Sequence, residues 1–274
     1  MADLAQQVQG AITEALAADE LELPVLPEVA LNIRTEAERD SVSVNSLAKV
    51  IADDASIAAQ LIKVVNSPMF RTARVIDELP LAISRLGLDY SANLATGLAM
   101  KHMFQATSEF IDTMLRKTWS RSAKVAGLSG LLAKRHTKLR VDQAMVAGLT
   151  HSIGVLPILS WAEENDHLLS NSISLERIVT AIHGSIGTMI LQRWEFPEEI
   201  ALVPALHLDH SRYASQPDFI AIVALANRLV QGDEDPDAVP LSEISAFEIL
   251  DIDPANTDLH ASLLEEAAES ASNL

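Results

Sequence analysis

The amino-acid sequence predicts an all-α protein. Apolar residues recur every three to four positions along almost the whole chain, which is the period of a helix with one buried face, and the alternation of a half-buried strand is absent. Apolar residues make up 49% of the chain and aromatic residues only 4%, so a core of packed aliphatic side chains is expected. Ten Gly and eleven Pro are few for a β protein with many tight turns. We expect more than half of the residues in α-helix and essentially no sheet.

Capping residues and prolines delimit the helices predicted in the first half of the chain. An amphipathic N-terminal helix is indicated by four apolar residues at helical spacing, Leu4, Val8, Ile12 and Leu16. The segment 23–27 carries two prolines and is predicted to be extended, because residues before proline avoid the α region. The next helices are predicted to start at Pro27, at Ser43, at Asp53 or Asp54 with an end at Asn66, at Pro80 with an end near Gly87, and at Asp89 toward Phe104.

Longer helices are predicted in the second half. They run from about Ser108 to His136, from Asp142 to Trp161, from Leu175 to Trp194, from Pro197 onward through Pro204, from Gln216 to Val230, and, after an acidic link over 232–240, from Asp253-Pro254 through Leu259, Leu263 and Leu264. Pro157 is expected to kink the second of these, since it has no N–H to donate to Ile153. Gly184 and Gly187 weaken the third, which is one helix or two.

The composition excludes several classes of function. Without cysteine the chain forms no disulfide, thiolate zinc site or cysteine nucleophile. No apolar run approaches the roughly 20 residues needed to cross a bilayer, and the first ten residues lack the basic start of a signal peptide. Phosphate-binding glycine loops and a Gly-x-Ser-x-Gly elbow are also absent. We expect a cytoplasmic protein that does not bind a membrane.

The charge distribution is uneven. A net charge of -18 argues against binding to nucleic acid or anionic lipid, because phosphates would be repelled. Between Thr113 and Val141 the chain nevertheless has eight basic residues and no acidic one, whereas twelve acidic residues and no Lys or Arg follow Arg228. Either these are two solvated faces of opposite sign, or the basic stretch meets an anion, a partner protein or the acidic tail.

Several segments together resemble one family of bacterial signalling proteins. They are Leu23-Pro24-x-Leu26-Pro27-Glu28-Val29-Ala30, Ile51-Ala52-Asp53-Asp54 leading to Leu61-Ile62-Lys63-Val64-Val65-Asn66-Ser67, Ala82-Ile83-Ser84-Arg85-Leu86-Gly87, and Trp194-x-Phe196-Pro197-x-x-Ile200. The combination is similar to the HDOD domain, the HD-related output domain, over about 21–231. The resemblance implies two helical lobes, the second related to HD metal-dependent phosphohydrolases. On this basis we divide the chain into an N-terminal helix (1–20), an N-terminal lobe (21–106), an HD-like lobe (107–231) and an acidic linker with a C-terminal helix (232–274).

The resemblance also locates a degenerate metal site. Catalytic relatives of the second lobe use an early His, a His-Asp pair, further His residues and a late Asp. The matching positions in this chain are Arg121 for the early His, His151 and Ser152 for the pair, His183 and His207 for the further histidines, and Asn227 for the late Asp. Both carboxylates and one imidazole are therefore lost. We expect the six residues to lie around one pocket.

The chemistry of this residue set bears on whether the site could hold metal ions. A two-metal centre needs a bridging anionic oxygen, which Ser152 and Asn227 do not supply, and the Arg121 cation repels metal. His151, His183 and His207 could still hold a single divalent ion such as zinc, or they are ordinary hydrogen-bonded core residues. We otherwise expect no cofactor.

The leading hypothesis is a non-catalytic signalling module that binds a partner protein in trans, and a homodimer is left open. The alternatives are a residual metal-dependent phosphohydrolase that uses the three histidines, and a sensor that binds a small anion such as a nucleotide through Arg121. The sequence does not identify the partner, the upstream signal or the regulated pathway.

Overall fold

A computed structural model describes residues 23–70, 74–164, 172–232 and 238–271, together with Gly10 and Glu14. Fourteen α-helices lie in these ranges: α1 Glu28–Ala37, α2 Val44–Ala52, α3 Ala55–Val65, α4 Leu79–Leu86, α5 Leu88–Ala99, α6 Glu109–His136, α7 Val141–Thr150, α8 Val155–Glu164, α9 Ser172–Arg193, α10 Glu198–Ala201, α11 Val203–Leu206, α12 Phe219–Gln231, α13 Ala246–Ile249 and α14 Thr257–Ala271. Two short 3₁₀ segments are Met100–Met103 and Leu241–Glu243. Of the residues that the structure describes, 71% are helical and none lies in a strand, which confirms the predicted all-α class. The predicted N-terminal helix with Leu4, Val8, Ile12 and Leu16 lies outside the described residues.

Side-chain caps begin two helices of the first half, α2 and α3. The Ser43 hydroxyl accepts a hydrogen bond from the backbone N–H of Ser46, and Ser46 reciprocates in a capping box at the start of α2. Of the two aspartates considered for α3, Asp54 is the cap, since it accepts from the N–H groups of Ser56 and Ile57. α4 carries its proline in the first turn and ends at Gly87, whose φ of +93° favours glycine.

Several predicted boundaries differ from the structure. The helix predicted from Gln216 begins at Phe219, and the helix predicted toward Phe104 ends at Ala99. Gly87 is the N-cap of α5, and Asp89 lies in the first turn instead of capping it. The helix starting near Pro197 is divided at Leu202 into α10 and α11, and Pro204 lies in the first turn of α11, where its missing N–H costs little. The final helix begins at Thr257, after a turn in which Asp253 caps the N–H of Ala255.

The long helix α6 is the centre of the packing. It contacts α7, α12 and α14, while α5 packs against α1 in the first half and against α7 in the second. One continuous core cluster of buried residues therefore extends from α1 to α14. The lobe boundary at 106/107 falls just before α6, and the division into lobes stays a prediction.

The segment Val141–Glu163 is long and apolar enough to cross a membrane by length and composition alone. It forms α7 and α8 in the interior, and 89% of its most apolar window is buried inside the protein. The contacts of a folded core therefore account for its composition.

Candidate functional site

A break between α7 and α8 positions the first two site residues. The sequence predicted one helix with a kink at Pro157, but the helix is interrupted over 151–154, before the proline. There the backbone N–H groups of Ile153, Val155 and Leu156 each donate to the carbonyl three residues earlier. Pro157 has no N–H for the Ile153 carbonyl and its ring crowds that group, so the α-helical ladder fails one turn upstream of the proline. His151 and Ser152 lie in this tight turn.

Glycines allow the helices around the turn to approach each other closely. A Cβ atom at Gly154 would lie 2.0 Å from the carbonyl oxygen of His183 on α9, and one at Gly184 would lie 2.5 Å from the carbonyl oxygen of Pro204 on α11. The sequence left open whether the segment from Leu175 to Trp194 forms one helix or two, and the structure shows one. Gly184 lies within one continuous helix, where it permits backbone contact between neighbouring helices and does not break the helix.

The three histidines form one buried cluster. The ring centroids of His151 and His207 are 5.0 Å apart, and those of His183 and His207 are 5.6 Å apart, both in edge-to-face orientation. In each ring Nδ1 lies within hydrogen-bond distance of a backbone carbonyl oxygen. The distance is 2.7 Å from His151 to Gly148, 2.8 Å from His183 to Val179 and 2.9 Å from His207 to Pro204. A carbonyl only accepts, so Nδ1 carries the hydrogen in every ring and Nε2 keeps its lone pair.

The environment keeps all three imidazoles neutral. Burial, with smaller contributions from His183 and the Arg121 charge, lowers the pKa of His151 to about 3, although the hydrogen bond between its ring and the Gly148 carbonyl acts in the opposite direction. Burial likewise lowers the pKa of His183, with Arg121 adding to the effect, and lowers the pKa of His207 well below its usual value. The cluster is therefore a set of uncharged hydrogen-bond acceptors at neutral pH.

Polar pairs occupy the positions where HD relatives carry acidic ligands. Arg121 on α6 donates from Nε to Oδ1 of Asn227 on α12 at 3.1 Å. The hydroxyl oxygens of Ser152 and Ser122 are 2.7 Å apart, and Ser122 is fully buried. Sequence analysis missed Ser122, although a small polar residue directly after Arg121 on an apolar helix face was the available signal.

The structure thus brings the six predicted residues into one neighbourhood. His151 and Ser152 share the turn, and His183 and His207 lie beside it with their rings edge to face. The Arg121–Asn227 pair lies close enough for the guanidinium charge to lower the pKa of two of the imidazoles. Among the residues that the structure describes, no group of three or more His, Cys, Asp or Glu side chains is placed to hold a metal ion. A two-metal centre does not fit these residues, because its bridging carboxylates are replaced by a serine and an amide.

The basic stretch on α6 is partly covered by the acidic tail. α14 packs along α6, where Leu263 is fully buried and Glu266 accepts a hydrogen bond from Arg135. Toward the other end of α6, Lys117, Arg121 and Lys124 are exposed on one helix face. In the described part of the chain no carboxylate lies within ion-pair distance of either lysine. We call these three residues the cationic face.

Comparison with known protein families shows which family this chain belongs to. The HDOD domain family matches residues 23–209. The chain belongs to the HDOD domain family. The match covers the proline link, the helices of the first half and the histidine cluster, but it ends before α12 and α14.

Solved structures and a curated relative of this HDOD protein are similar along most of its length. A crystal structure from Shewanella amazonensis SB2B, named "Putative metal-dependent phosphohydrolase", is 25% identical, with a TM-score of 0.90 over 100% of this chain and 99% of that chain. An HDOD domain protein with unknown function from Geobacter sulfurreducens is 20% identical, with a TM-score of 0.65 over 100% of this chain and 99% of that one, which shows the fold alone. An uncharacterized protein of Treponema pallidum (strain Nichols) is 27% identical over 268 residues, or 89% of this chain. The HDOD chain spans about half the length of that curated relative, 50%.

Proposed function

We propose that this HDOD protein is a non-catalytic regulatory module of bacterial signal transduction that acts by binding a partner protein in trans. Membership of the HDOD family supports a regulatory role. The observation that carries the non-catalytic part is the pairing of Ser152 with Ser122 and of Asn227 with Arg121. One pair is neutral and the other contains the fixed Arg121 cation, and neither supplies the anionic oxygen that metal-dependent hydrolysis needs to bridge metal ions.

A metal-restoration experiment tests the non-catalytic part. The triple variant Arg121→His, Ser152→Asp, Asn227→Asp introduces the donor types that the resemblance to catalytic HD relatives assigns to these positions. We expect it to bind Mn²⁺ in isothermal titration calorimetry, whereas the unaltered protein does not, because the carboxylates supply the missing charge. The single variant Asn227→Asp is the matched control, and it leaves Arg121 opposite one carboxylate.

The residual phosphohydrolase is the outcome that would overturn this proposal. It is supported by the name of the Shewanella structure and by the lone pairs on Nε2 of His151, His183 and His207. Stoichiometric binding of metal ions by the unaltered protein, together with metal-dependent hydrolysis of bis-p-nitrophenyl phosphate that His151→Ala abolishes, would establish it. A protein purified without chelator is the material to use.

The partner is proposed to be an acidic protein segment that binds the cationic face. The tail covers α6 near Arg135 but leaves Lys117 and Lys124 exposed and without a carboxylate among the described residues. Local positive charge on a strongly acidic protein steers oppositely charged partners to that position.

Charge reversal tests the partner surface. The purified protein serves as bait in a lysate of the source organism, with retained proteins identified and quantified by mass spectrometry. We expect an acidic protein to be retained by the unaltered bait and lost from Lys117→Glu/Lys124→Glu, because the surface potential is inverted. Lys49→Glu, at an exposed lysine on α2, is the matched control. Equal retention by all three baits would refute the assignment of this face.

The anion sensor is retained as a second candidate because of one observation. The exposed Arg121 guanidinium adjoins neutral imidazoles, and a guanidinium is suited to bidentate contact with a phosphate group. Under this alternative, guanosine monophosphate raises the melting temperature of the unaltered protein and not of Arg121→Gln. If the protein acts only through a partner protein, the nucleotide changes neither melting temperature.

A further inference from the structure

A separate cavity lies at the junction of the first and second halves of the chain. Its volume is about 340 Å³, and it is lined by α1, α5, the start of α7 and the turn between α9 and α10. Ligand pockets in proteins usually measure about 300–1,000 Å³. None of the six residues of the degenerate site lines it.

Arg34 on α1 holds one wall of this cavity in place. Its Nη1 donates to the carbonyl oxygen of Trp194 at 2.5 Å and its Nη2 to that of Glu195 at 3.3 Å. The guanidinium carbon also lies 5.1 Å from the ring centroid of Phe196. Glu195 itself has a φ of +56°, a conformation that residues other than glycine rarely adopt. The Phe196 N–H donates to the carbonyl of Leu191, so the left-handed Glu195 closes the C-terminus of α9, and Arg34 fixes this turn to α1.

Asp142 organises the opposite wall. This carboxylate is 5% exposed and accepts from Nδ2 of Asn93 at 2.7 Å and from Nη2 of Arg140 at 2.8 Å. Arg140 also reaches Asp89 at the rim, 3.3 Å away. The amide of Asn93 is thereby oriented with its nitrogen toward Asp142, so that its oxygen is left as an acceptor.

The cavity wall includes a buried hydroxyl with no partner. Thr96 on α5 lines the cavity, is 3% exposed, and its Oγ1 makes no hydrogen bond within the described structure. Three other helical threonines, Thr118, Thr150 and Thr180, donate to the carbonyl four residues earlier, whereas Thr188 on α9, which does not line this cavity, is also buried without a partner in the described structure. An unmade hydrogen bond at a buried position is costly, and a polar ligand in the cavity would supply the partner that Thr96 lacks.

The charges around the cavity favour a cation. Four carboxylates outnumber two guanidinium groups among the lining residues and the aspartate behind them: Glu38, Asp89, Asp142 and Glu195 against Arg34 and Arg140. The protein as a whole carries -18, so an anionic ligand is repelled at long range as well. Below the rim the surface is apolar, with Ala92, Val146 and Ile200.

We propose that this cavity binds a small organic amine, with the ammonium group at the carboxylate rim and an apolar body against Val146 and Ile200. The rim supplies charge, the apolar surface supplies burial, and the hydroxyl of Thr96 and the amide oxygen of Asn93 supply hydrogen bonds. Binding here would give the module a small-molecule input at the junction of its two halves. The proposal does not depend on the proposed function, because it concerns other residues.

Three probes of the same shape and different charge test the proposal. Phenethylamine, 2-phenylethanol and phenylacetate are titrated to 10 mM into the ¹⁵N-labelled full-length protein and followed by two-dimensional NMR. We expect phenethylamine to shift the signals of the Asn93 and Gln143 side-chain amides and of the Thr96 backbone amide, with weaker shifts from the alcohol and none from the acid.

Variants then assign the contacts. Glu38→Gln/Glu195→Gln should weaken phenethylamine binding by roughly tenfold, the factor that two partly exposed ion pairs can supply. Asp77→Asn/Glu248→Gln removes the same charge from exposed positions outside the cavity and should leave binding unchanged. The nearly isosteric Thr96→Val should also weaken binding, with an unchanged circular dichroism spectrum. Three results would each overturn the proposal. They are binding of phenylacetate as tightly as phenethylamine, equal effects of the two double variants, and no shift of these signals at 10 mM.

Discussion

At the scale of single residues, the three histidines predicted as possible metal ligands are hydrogen-bonded, buried members of the folded core. Each ring donates from Nδ1 to a carbonyl within its own helix or turn, which is also the tautomer that a metal ligand bonding through Nε2 requires. Burial excludes the charged form of His151, His183 and His207. Their neutral state has a measurable consequence for stability.

Stability should fall as the pH is lowered through the histidine range. In the unfolded chain these imidazoles take up protons below about pH 6.5, but in the folded protein they stay neutral to a much lower pH. Their contribution is complete above pH 6.5 and is lost as the pH falls toward the folded pKa, about 3 for His151. For each buried histidine, the free energy of unfolding should be roughly 1 kcal/mol lower at pH 5.5 than at pH 7.5. Urea denaturation at the two pH values measures this difference.

A single substitution separates this effect from the titration of other groups. His151→Asn keeps a donor for the Gly148 carbonyl and removes the titrating ring, so roughly 1 kcal/mol of the pH dependence should disappear. A free energy of unfolding that is the same at both pH values would contradict the neutral cluster.

At the scale of helices, close backbone contact holds the site together. Gly154 in the turn and Gly184 on α9 have no room for a Cβ atom because a neighbouring backbone carbonyl occupies that space. Backbone atoms yield less readily than the end of a flexible side chain. The turn at His151 is therefore located by its contact with α9 as well as by Pro157.

Adding one methyl group at this contact should be strongly destabilising. Gly154→Ala would place its Cβ 2.0 Å from the carbonyl oxygen of His183, so α9 must move away from the turn. We expect a loss of at least about 3 kcal/mol, the upper part of the range for overpacked cores, measured by thermal and urea denaturation. Gly10→Ala, where nothing lies within 4 Å, should leave stability unchanged or slightly raised. Equal behaviour of the two variants would mean that the contact is not rigid.

At the scale of the whole molecule, the acidic tail is part of the core. Leu263 and Ala267 of α14 are buried against α6, and Arg135 pairs with Glu266 at the edge of this contact. Because an exposed ion pair contributes only about 0–1 kcal/mol, the apolar contact provides most of the attachment. The opposite charges of α6 and the acidic tail orient α14 on α6.

Removal of the tail should destabilise the whole protein. Deletion of 254–274 takes away α14, and Leu263→Ala alone should lower the free energy of unfolding by about 2–5 kcal/mol. The deletion should also increase retention on a cation-exchange resin beyond that of Glu248→Gln/Asp258→Asn/Glu265→Gln/Glu269→Gln, which removes the same number of negative charges, four, but leaves Arg135 covered by α14. Unchanged stability after deletion would mean that α14 does not dock in solution.

The sequence alone predicted the all-α class, the family and the cap at Ser43, and it narrowed the cap of α3 to Asp53 or Asp54, because helical periodicity, capping and proline effects act over a few neighbouring residues. The residues proposed to replace metal ligands were predicted from the family resemblance. Contacts between distant helices decided the rest. The turn at His151 lies upstream of its predicted kink, Ser122 pairs with Ser152, and α14 covers only one end of the basic helix. None of these contacts leaves a local pattern in the chain, because each depends on how closely two helices far apart in sequence can approach.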